Sequence, residues 1–217
     1  MANFPSRLAF AALLQYAPRG RSQPSLRSRD VTYKIKQDGF VSGFQIIDFS
    51  AQRLAGEIAR HSFLADYSNP RATLVPVSRS SPLVDPNSLW PSLRICRALL
   101  AQSLAAKVSP CLERMHAVQK SSTARAGRRP GPNDHYDSVR VAWKKRRAPS
   151  SITLVDDVVT RGSTFVGLVP RLQEAFPGVE IRCFALVRTI STGEVDRILD
   201  PALGMIAYDG LELRRHP

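Results

Sequence analysis

The sequence predicts an α/β fold in which a mainly parallel sheet is flanked by helices. Three short apolar runs, over residues 72–77, 152–155 and 179–187, have the length and composition of buried strands. Patterns typical of amphipathic helices follow the first two runs, over about residues 91–107 and 164–176. Strands that alternate with helices favour a parallel sheet, because the chain has to cross back over the sheet between neighbouring parallel strands.

The first part of the chain is less regular. Residues 17–30 are rich in Pro, Ser and Arg, and we expect them to form an irregular arm. Residues 31–36 alternate between apolar and polar side chains, which predicts a short strand. A helix is predicted over residues 51–63, with Asp48 or Ser50 as its N-cap, because a short polar side chain there accepts a hydrogen bond from the first helical turn.

Residues 114–150 are predicted to form a long flexible loop. They combine several Gly and Pro residues with many basic ones, and a short strand is expected at about residues 138–143. Loops of this length inside a compact domain are uncommon and often act as functional lids. A last short strand is predicted over residues 205–208.

The 217 residues fit one domain with a small appendage, and their charge is unevenly distributed. Lys and Arg number 31 against 18 Asp and Glu, a formal charge of +13. Residues 1–36 hold seven basic residues and one acidic residue, and residues 114–147 hold ten and two. We therefore divide the chain into a basic N-terminal arm, residues 1–36, and an α/β domain, residues 37–217, with its lid loop at about 114–150. Such basic clusters are typical of diphosphate or nucleic-acid binding, and equally of solvated loops.

The cysteines and the apolar stretches exclude several classes of protein. Cys96, Cys111 and Cys183 are far apart and form no CxxC pair, which disfavours a zinc site or a disulfide framework. The apolar stretch over residues 8–17 is interrupted by Gln15 and is shorter than the ~20 residues that a membrane span needs. We expect a cytoplasmic protein without a membrane partner.

The stretch from Ile152 to Thr164 carries the clearest chemical pattern. A strand ends in two adjacent carboxylates, Asp156 and Asp157, and a loop of hydroxyl residues and Gly162 leads into a helix. Ligands of open α/β sheets bind beyond the carboxyl ends of the strands. A helix N-terminus binds phosphate there, and paired carboxylates accept hydrogen bonds from sugar hydroxyls and help to hold a hydrated Mg²⁺. A ribose 5-phosphate moiety satisfies both halves of this pattern.

This stretch resembles the phosphoribosyl-diphosphate-binding signature of type I phosphoribosyltransferases. That signature has four mostly aliphatic residues, an acidic pair, two aliphatic residues and a hydroxyl-and-glycine loop, and only Thr153 departs from it. Residues 31–39 look like the Lys-Tyr-x-Gly element of the ComF-like branch, which is named for a DNA-uptake competence protein. Roughly residues 31–190 are similar to that branch, although the cysteine zinc module with which its members often begin is not found in this sequence.

The resemblance implies a role for each matching residue. Asp156 and Asp157 would contact the ribose hydroxyls and, directly or through water, Mg²⁺, which is the implied cofactor. Arg79 would act with these two carboxylates in catalysis, because it would place a cation on the pyrophosphate. The residues implied in binding phosphoribosyl diphosphate are Val77, Ser78, Arg79, Asp156, Asp157, Thr160, Arg161, Gly162, Ser163 and Thr164.

The implied reaction is displacement of pyrophosphate at the anomeric carbon by a nucleobase-like nucleophile. Its oxocarbenium-like transition state calls for cations on the leaving group and for exclusion of water. Arg79 and one basic residue of the lid loop are the expected cations. The lid candidates are Lys120, Arg128 and Arg129. Four further side chains would donate a proton or stack on a base, unless they are merely solvated or packed. They are His116, His135, Tyr136 and Trp143.

Two other functions stay open on the sequence alone. One is a non-catalytic protein that senses phosphoribosyl diphosphate or another nucleotide. The second is a protein that binds single-stranded nucleic acid in DNA uptake or processing, which fits the ComF-like resemblance and the basic segments. The resemblance also implies a homodimer, because this fold frequently dimerises in the family.

Overall fold

The structure is a computed structural model that describes residues 3–119, 129–144, 147–190 and 193–216. Its helices are α1 (Gln23–Lys36), α2 (Ile46–Glu57), α3 (Leu64–Tyr67), α4 (Pro91–Ala101), α5 (Pro132–Asp137) and α6 (Ser163–Ala175). Its strands are β1 (Arg7–Tyr16), β2 (Phe40–Val41), β3 (Phe44–Gln45), β4 (Thr73–Pro76), β5 (Lys107–Val108), β6 (Leu112–Arg114), β7 (Val139–Val141), β8 (Ser151–Val159), β9 (Glu180–Thr189), β10 (Leu199–Tyr208) and β11 (Leu213–His216).

Seven strands form the central sheet, in the order β11-β10-β1-β9-β8-β4-β5. The five strands from β1 to β5 in this order pair in parallel, whereas β10 is antiparallel to both of its neighbours. Helices cover both faces of the sheet. The fold is therefore α/β with a mainly parallel sheet flanked by helices, and the predicted fold class is confirmed.

Alternate residues of the strands enter two separate cores, one on each face of the sheet. Phe10 and Leu154 point into the core that α6 covers, where Phe165 and Leu172 pack. On the other face, α1, α2 and α4 pack on residues such as Leu13. Strands buried on both faces have near-continuous apolar sequences, as β1, β8 and β9 do.

The N-terminal segment differs most from its prediction. The apolar stretch over residues 8–17 forms β1, which lies inside the sheet between β9 and β10. Residues 31–36 are helical, so the predicted strand is wrong, and the irregular arm over residues 17–30 is helical from Gln23 onwards. The side chain of Ser22 caps α1 by accepting a hydrogen bond from the backbone of Ser25.

The reason for this error is the composition of the buried face of α1. This face consists of small polar residues and one aliphatic residue at helical spacing, so it gives no apolar stripe to recognise. Its buried members are Ser25, Ser28, Thr32 and Ile35. The hydroxyl of Thr32 donates to the backbone carbonyl of Ser28, which satisfies a polar group that is buried there.

The remaining elements agree more closely with the sequence. Helix α2 begins at Ile46, so Asp48 and Ser50 lie within it and neither is its N-cap, which is Gln45. The predicted strand over residues 72–77 is confirmed as β4, and the predicted helix over residues 91–107 as the shorter α4. The strand that carries the aspartate pair is longer than predicted, and the pair lies within β8 instead of beyond its end.

The predicted loop over residues 114–150 is partly ordered. Strands β6 and β7 form an antiparallel pair that closes its base, and α5 precedes β7, so a flexible loop is the wrong description of these parts. The short strand expected at about residues 138–143 is confirmed as β7. Helix α5 packs tightly on α6, because the absence of a side chain at Gly167 lets the carbonyl of Pro132 approach. Lys120 and Arg128 lie outside the described residues.

Candidate functional site

The aspartate pair lies in the last part of β8. The Oδ1 atom of Asp156 accepts hydrogen bonds from the backbone N–H of Asp157, at 2.9 Å, and from the hydroxyl of Ser92, at 3.3 Å. Ser92 is buried in the first turn of α4. The N-terminal turn of α4 thus approaches the first of the two carboxylates, which favours negative charge there.

Lys36, at the end of α1, is the nearest cation to the pair. Its Nζ lies 3.2 Å from Oδ2 of Asp157, whose side chain is 18% exposed. Burial by itself lowers the pKa of the Lys36 ammonium, but the Asp157 carboxylate, with Asp156 behind it, outweighs burial and raises the pKa. Nothing in the sequence predicts this contact, because residues 31–36 read as a strand and not as the last turn of a helix.

Burial strongly perturbs the carboxyl group of Asp156. Burial raises its pKa well above the ordinary value, the neighbouring Asp157 raises it further, and Lys36 opposes both effects. A cation bound at the pair would stabilise the ionised form. The described residues include no group of three or more His, Cys, Asp or Glu side chains able to hold a metal by themselves.

This donor set fits a hydrated Mg²⁺. Mg²⁺ keeps several waters and is usually bound by one or two carboxylates together with substrate oxygens. Asp156 and Asp157 supply those carboxylates, and Lys36 already neutralises part of their charge. We therefore expect the ion to bind only with an anionic ligand, whose oxygens would supply further ligands.

The loop after β8 leads directly into the N-terminus of α6. Gly162 is the N-cap, with φ at +90°, a conformation that favours glycine. A Cβ atom at Gly162 would lie 2.3 Å from Cδ1 of Ile206, so both the backbone conformation and the packing require glycine. Among the described residues no side chain caps this helix of 13 residues, and uncapped N–H groups at a helix start are of the kind that binds anions.

The side chains around this cap differ in exposure. Thr160 and Arg161 are exposed, Ser163 is buried and Thr164 is half-buried. The carbonyl of Thr160 accepts a hydrogen bond from the guanidinium of Arg215 in β11. The tip of the loop is therefore open to solvent, while its base is fixed to the sheet.

The residues after β4 lie beside the second half of β8, because β4 and β8 are parallel neighbours and Pro76 is level with Val155. The backbone N–H of Val77 donates to the carbonyl of Val155, at 2.8 Å, and the indole of Trp90 donates to the carbonyl of Val77. The Oγ atom of Ser78 and the Nη1 atom of Arg79 are buried and have no hydrogen-bond partner among the described residues. Buried polar atoms normally have a partner, so these two are candidates to contact a ligand.

The predicted proton donors and stacking groups have different environments. His135 is buried, and its Nε2 lies 3.5 Å from the hydroxyl of Thr164, whereas His116 is exposed. Burial, reinforced by the cation of Arg114, lowers the pKa of His135 to about 4, so its ring is neutral at pH 7.

The aromatic candidates take part in packing. Tyr136 hydrogen-bonds Glu174, and the guanidinium of Arg171 stacks over its ring at 3.7 Å. Trp143 packs edge-to-face on Phe176. These contacts agree with a packing role for both side chains. Arg129, among the lid candidates, is exposed.

Three predicted groups therefore lie on, or directly after, the neighbouring strands β4 and β8. They are the aspartate pair, the Gly162 turn with the N-terminus of α6, and the Val77–Arg79 segment. The sequence does not predict Lys36 or Ser92 as contacts of the pair. The three cysteines are buried and unpaired. None of the described helices has both the length and the hydropathy to cross a bilayer.

Comparisons with known proteins add a likeness at the level of the fold. No family model matches the chain, and no curated protein matches it. Two solved structures, the glutamine and glutamic acid mutants from an analysis of an invariant aspartic acid in HPRTs, are similar to it. Their identities to this chain are 15% and 17%, with TM-scores of 0.33 and 0.32. In each case the match covers 78% of this chain and 75% of the other.

HPRTs are type I phosphoribosyltransferases, but likenesses this distant carry no argument about the site. Nothing in them bears on the ComF-like branch, which stays a prediction.

Proposed function

We propose that this protein binds phosphoribosyl diphosphate at the carboxyl ends of β4 and β8 and transfers its phosphoribosyl group to a nucleobase-like acceptor. One observation carries the proposal: an aspartate pair, a glycine turn into an uncapped helix and two unpartnered buried polar atoms lie on neighbouring parallel strands. These groups match the hydroxyls, the 5-phosphate and the diphosphate of one ligand.

Each part of the ligand has a complementary group in this arrangement. The 5-phosphate would bind the N–H groups at the start of α6, with the hydroxyls of Ser163 and Thr164. The ribose hydroxyls would donate to Asp156 and Asp157, which accept hydrogen bonds when ionised. The diphosphate would reach Oγ of Ser78 and Nη1 of Arg79, which have no partner among the described residues.

In the reaction, the bond from the anomeric carbon to the diphosphate oxygen breaks and a bond from that carbon to the acceptor nitrogen forms. A bound Mg²⁺ would neutralise charge on the diphosphate, and Asp156 and Asp157 are the residues that would hold it. Arg79 would stabilise the negative charge that grows on the leaving group. The acceptor nitrogen loses its proton to water as the new bond forms.

Calorimetric titration with phosphoribosyl diphosphate and Mg²⁺ tests the binding site. The double variant Asp156→Asn, Asp157→Asn should abolish measurable binding, because it removes both negative charges and replaces one acceptor oxygen of each side chain by an N–H donor without changing side-chain size. The control Glu180→Gln removes an exposed carboxylate at the start of β9 and should bind like the wild type. Unchanged affinity in the double variant would refute the site.

Turnover separates an enzyme from a sensor. Pyrophosphate release from phosphoribosyl diphosphate, measured across a panel of nucleobases, should occur with at least one acceptor. Tight binding with no release in any mixture would instead select a non-catalytic protein that senses the ligand.

A nucleic-acid-binding function is the second candidate, and the formal charge of +13 favours it. A protein that neutralises six to eight phosphates of a single strand should show a slope of log affinity against log salt of about −4 to −7. A flat salt response, or no binding near physiological salt, would exclude this candidate.

A further inference from the structure

A buried arginine with no carboxylate partner lies beneath the Val77–Arg79 segment. Arg114, the last residue of β6, is only 7% exposed. No Asp or Glu among the described residues lies within salt-bridge distance of it, although most other arginines in buried or half-buried positions have one. Burying a charge without an opposite charge is unfavourable, so its position calls for an explanation.

The guanidinium of Arg114 joins two parts of the fold. Its Nε donates to the backbone carbonyl of Arg79, at 2.8 Å, and its Nη1 donates to the hydroxyl of Ser138. That hydroxyl in turn donates to the carbonyl of Asp134 in α5. Arg114 therefore fixes the segment after β4 to α5 and to the β6–β7 pair.

Unpaired polar atoms belong to residues that lie next to the contacts of this guanidinium. Arg79 leaves its own Nη1 buried without a partner, as Ser78 does its Oγ and His135 its Nδ1, among the residues that the structure describes. Burial lowers the pKa of Arg114 to about 10, which still leaves it charged at neutral pH. Arg114 thus contacts the backbone of Arg79, and neither guanidinium forms an ion pair among the described residues; the carboxylate that acts on His135 is that of Asp134.

This arrangement has the character of an anion site. A role in loop packing alone would require only a neutral hydrogen-bond donor to the Arg79 carbonyl, because a neutral donor avoids the desolvation penalty of a buried charge. A bound anion would offset that penalty for the buried guanidinium. A diphosphate bound to Ser78 and Arg79 would do so, since it would bring two or more negative charges beside the guanidinium.

We propose that Arg114 is a positioning residue for the diphosphate end of the ligand: it orients the Val77–Arg79 segment through the Arg79 carbonyl and places a fixed buried positive charge behind that segment. This inference rests on the proposed function, and it adds a residue and a role that the Ile152–Thr164 signature does not contain. It also links occupancy of the diphosphate site to the packing of α5 and the β6–β7 pair.

Separate titrations of the two ends of the ligand test this role. Inorganic pyrophosphate with Mg²⁺ probes the diphosphate end, and ribose 5-phosphate probes the end at α6. Arg114→Gln should weaken pyrophosphate binding by about tenfold to a hundredfold, the range for losing charge-assisted hydrogen bonds. Its affinity for ribose 5-phosphate should stay within about twofold, because the α6 N-terminus keeps its own contacts.

Two further variants complete the experiment. Arg140→Gln is the matched control, since Arg140 lies on β7, is exposed and pairs with Glu113. It should leave both affinities unchanged. Arg114→Lys keeps the charge but cannot hold two acceptors in the planar geometry of a guanidinium, so it should recover part of the pyrophosphate affinity.

The outcomes are distinguishable. A folded Arg114→Gln protein that binds pyrophosphate like the wild type would overturn the inference, as would an equal loss for both probes, which indicates general damage. If Arg114→Gln does not fold, Ser138→Ala replaces it as the test variant. Loss of the hydroxyl that accepts from Arg114 should weaken pyrophosphate binding by about threefold and leave ribose 5-phosphate binding unaffected. Unchanged pyrophosphate binding in this variant would overturn the inference. A wild-type protein that binds neither pyrophosphate nor phosphoribosyl diphosphate would overturn the proposed function itself.

Discussion

His135 should make the stability of this protein depend on pH in a defined range. The pKa of a histidine in an unfolded chain is about 6.5, whereas burial, together with Arg114, lowers the pKa of His135 to about 4 in the folded protein, with Asp134 opposing the shift. Between these two values the unfolded chain binds a proton more strongly than the folded protein does. Stability is therefore complete above about pH 6.5 and decreases as the pH falls towards 4.

The size of the effect follows from the two pKa values. The full difference corresponds to about 3 kcal/mol, because each unit of pKa is about 1.4 kcal/mol. At about pH 5, where only part of the proton linkage is expressed, the wild type should lose about 2 kcal/mol relative to pH 7.5 through this group alone. His135→Gln lacks this titration. Between pH 7.5 and about pH 5, its free energy of unfolding should therefore decrease by about 2 kcal/mol less than that of the wild type.

Urea denaturation at both pH values measures the difference. Other titrating groups, Asp156 among them, contribute equally to both proteins, so only the difference between the two pH dependences is diagnostic. His116→Gln is the matched control, because His116 is exposed, and its pH dependence should match that of the wild type. If His135→Gln loses as much stability between the two pH values as the wild type does, His135 is not buried in its neutral form and the packing of α5 on α6 is wrong.

Further predictions concern glycines and cysteines. Gly162→Ala should destabilise the protein by about 2–4 kcal/mol, because it strains the backbone and clashes with Ile206. The control Gly178→Ala, with φ at +78° and no atom near its Cβ position, should destabilise it by only about 1–2 kcal/mol. Equal losses of stability in urea denaturation would contradict the predicted clash. Gly167→Ala should lower the stability of the protein by about 1–3 kcal/mol, because its Cβ would lie 2.4 Å from a backbone oxygen of α5. Gly56→Ala, in open space on α2, should be neutral or stabilising. Thermal unfolding compares the two variants. The three cysteines should not react with Ellman's reagent until the protein unfolds, because burial raises the pKa of each thiol; a thiol that reacts rapidly in the folded protein would contradict this.

Local sequence determines much of this protein. Strands β4, β8 and β9 are apolar runs that are recognisable without a structure, because a strand buried on both faces needs apolar residues at every position. The aspartate pair and the Gly162 turn are also local, since a strand, a turn and a helix N-terminus are formed by consecutive residues. The Asp156–Thr164 part of the candidate site could therefore be predicted from the sequence.

Other features depend on contacts between segments that are distant in the sequence. Residues 31–36 alternate like a strand, yet they are helical because Ile35 and the small residues of α1 pack against the sheet. Lys36 is an ordinary basic residue until α1 brings it to Asp157, 121 positions away. Arg114 is one of ten basic residues in a predicted loop, and only tertiary packing buries it, because charge and composition do not reveal which guanidinium has lost contact with water. The sequence by itself thus determined the strand and turn at which we propose that phosphate binds, whereas the tertiary structure decided which charges surround them, since burial is a property of the whole fold.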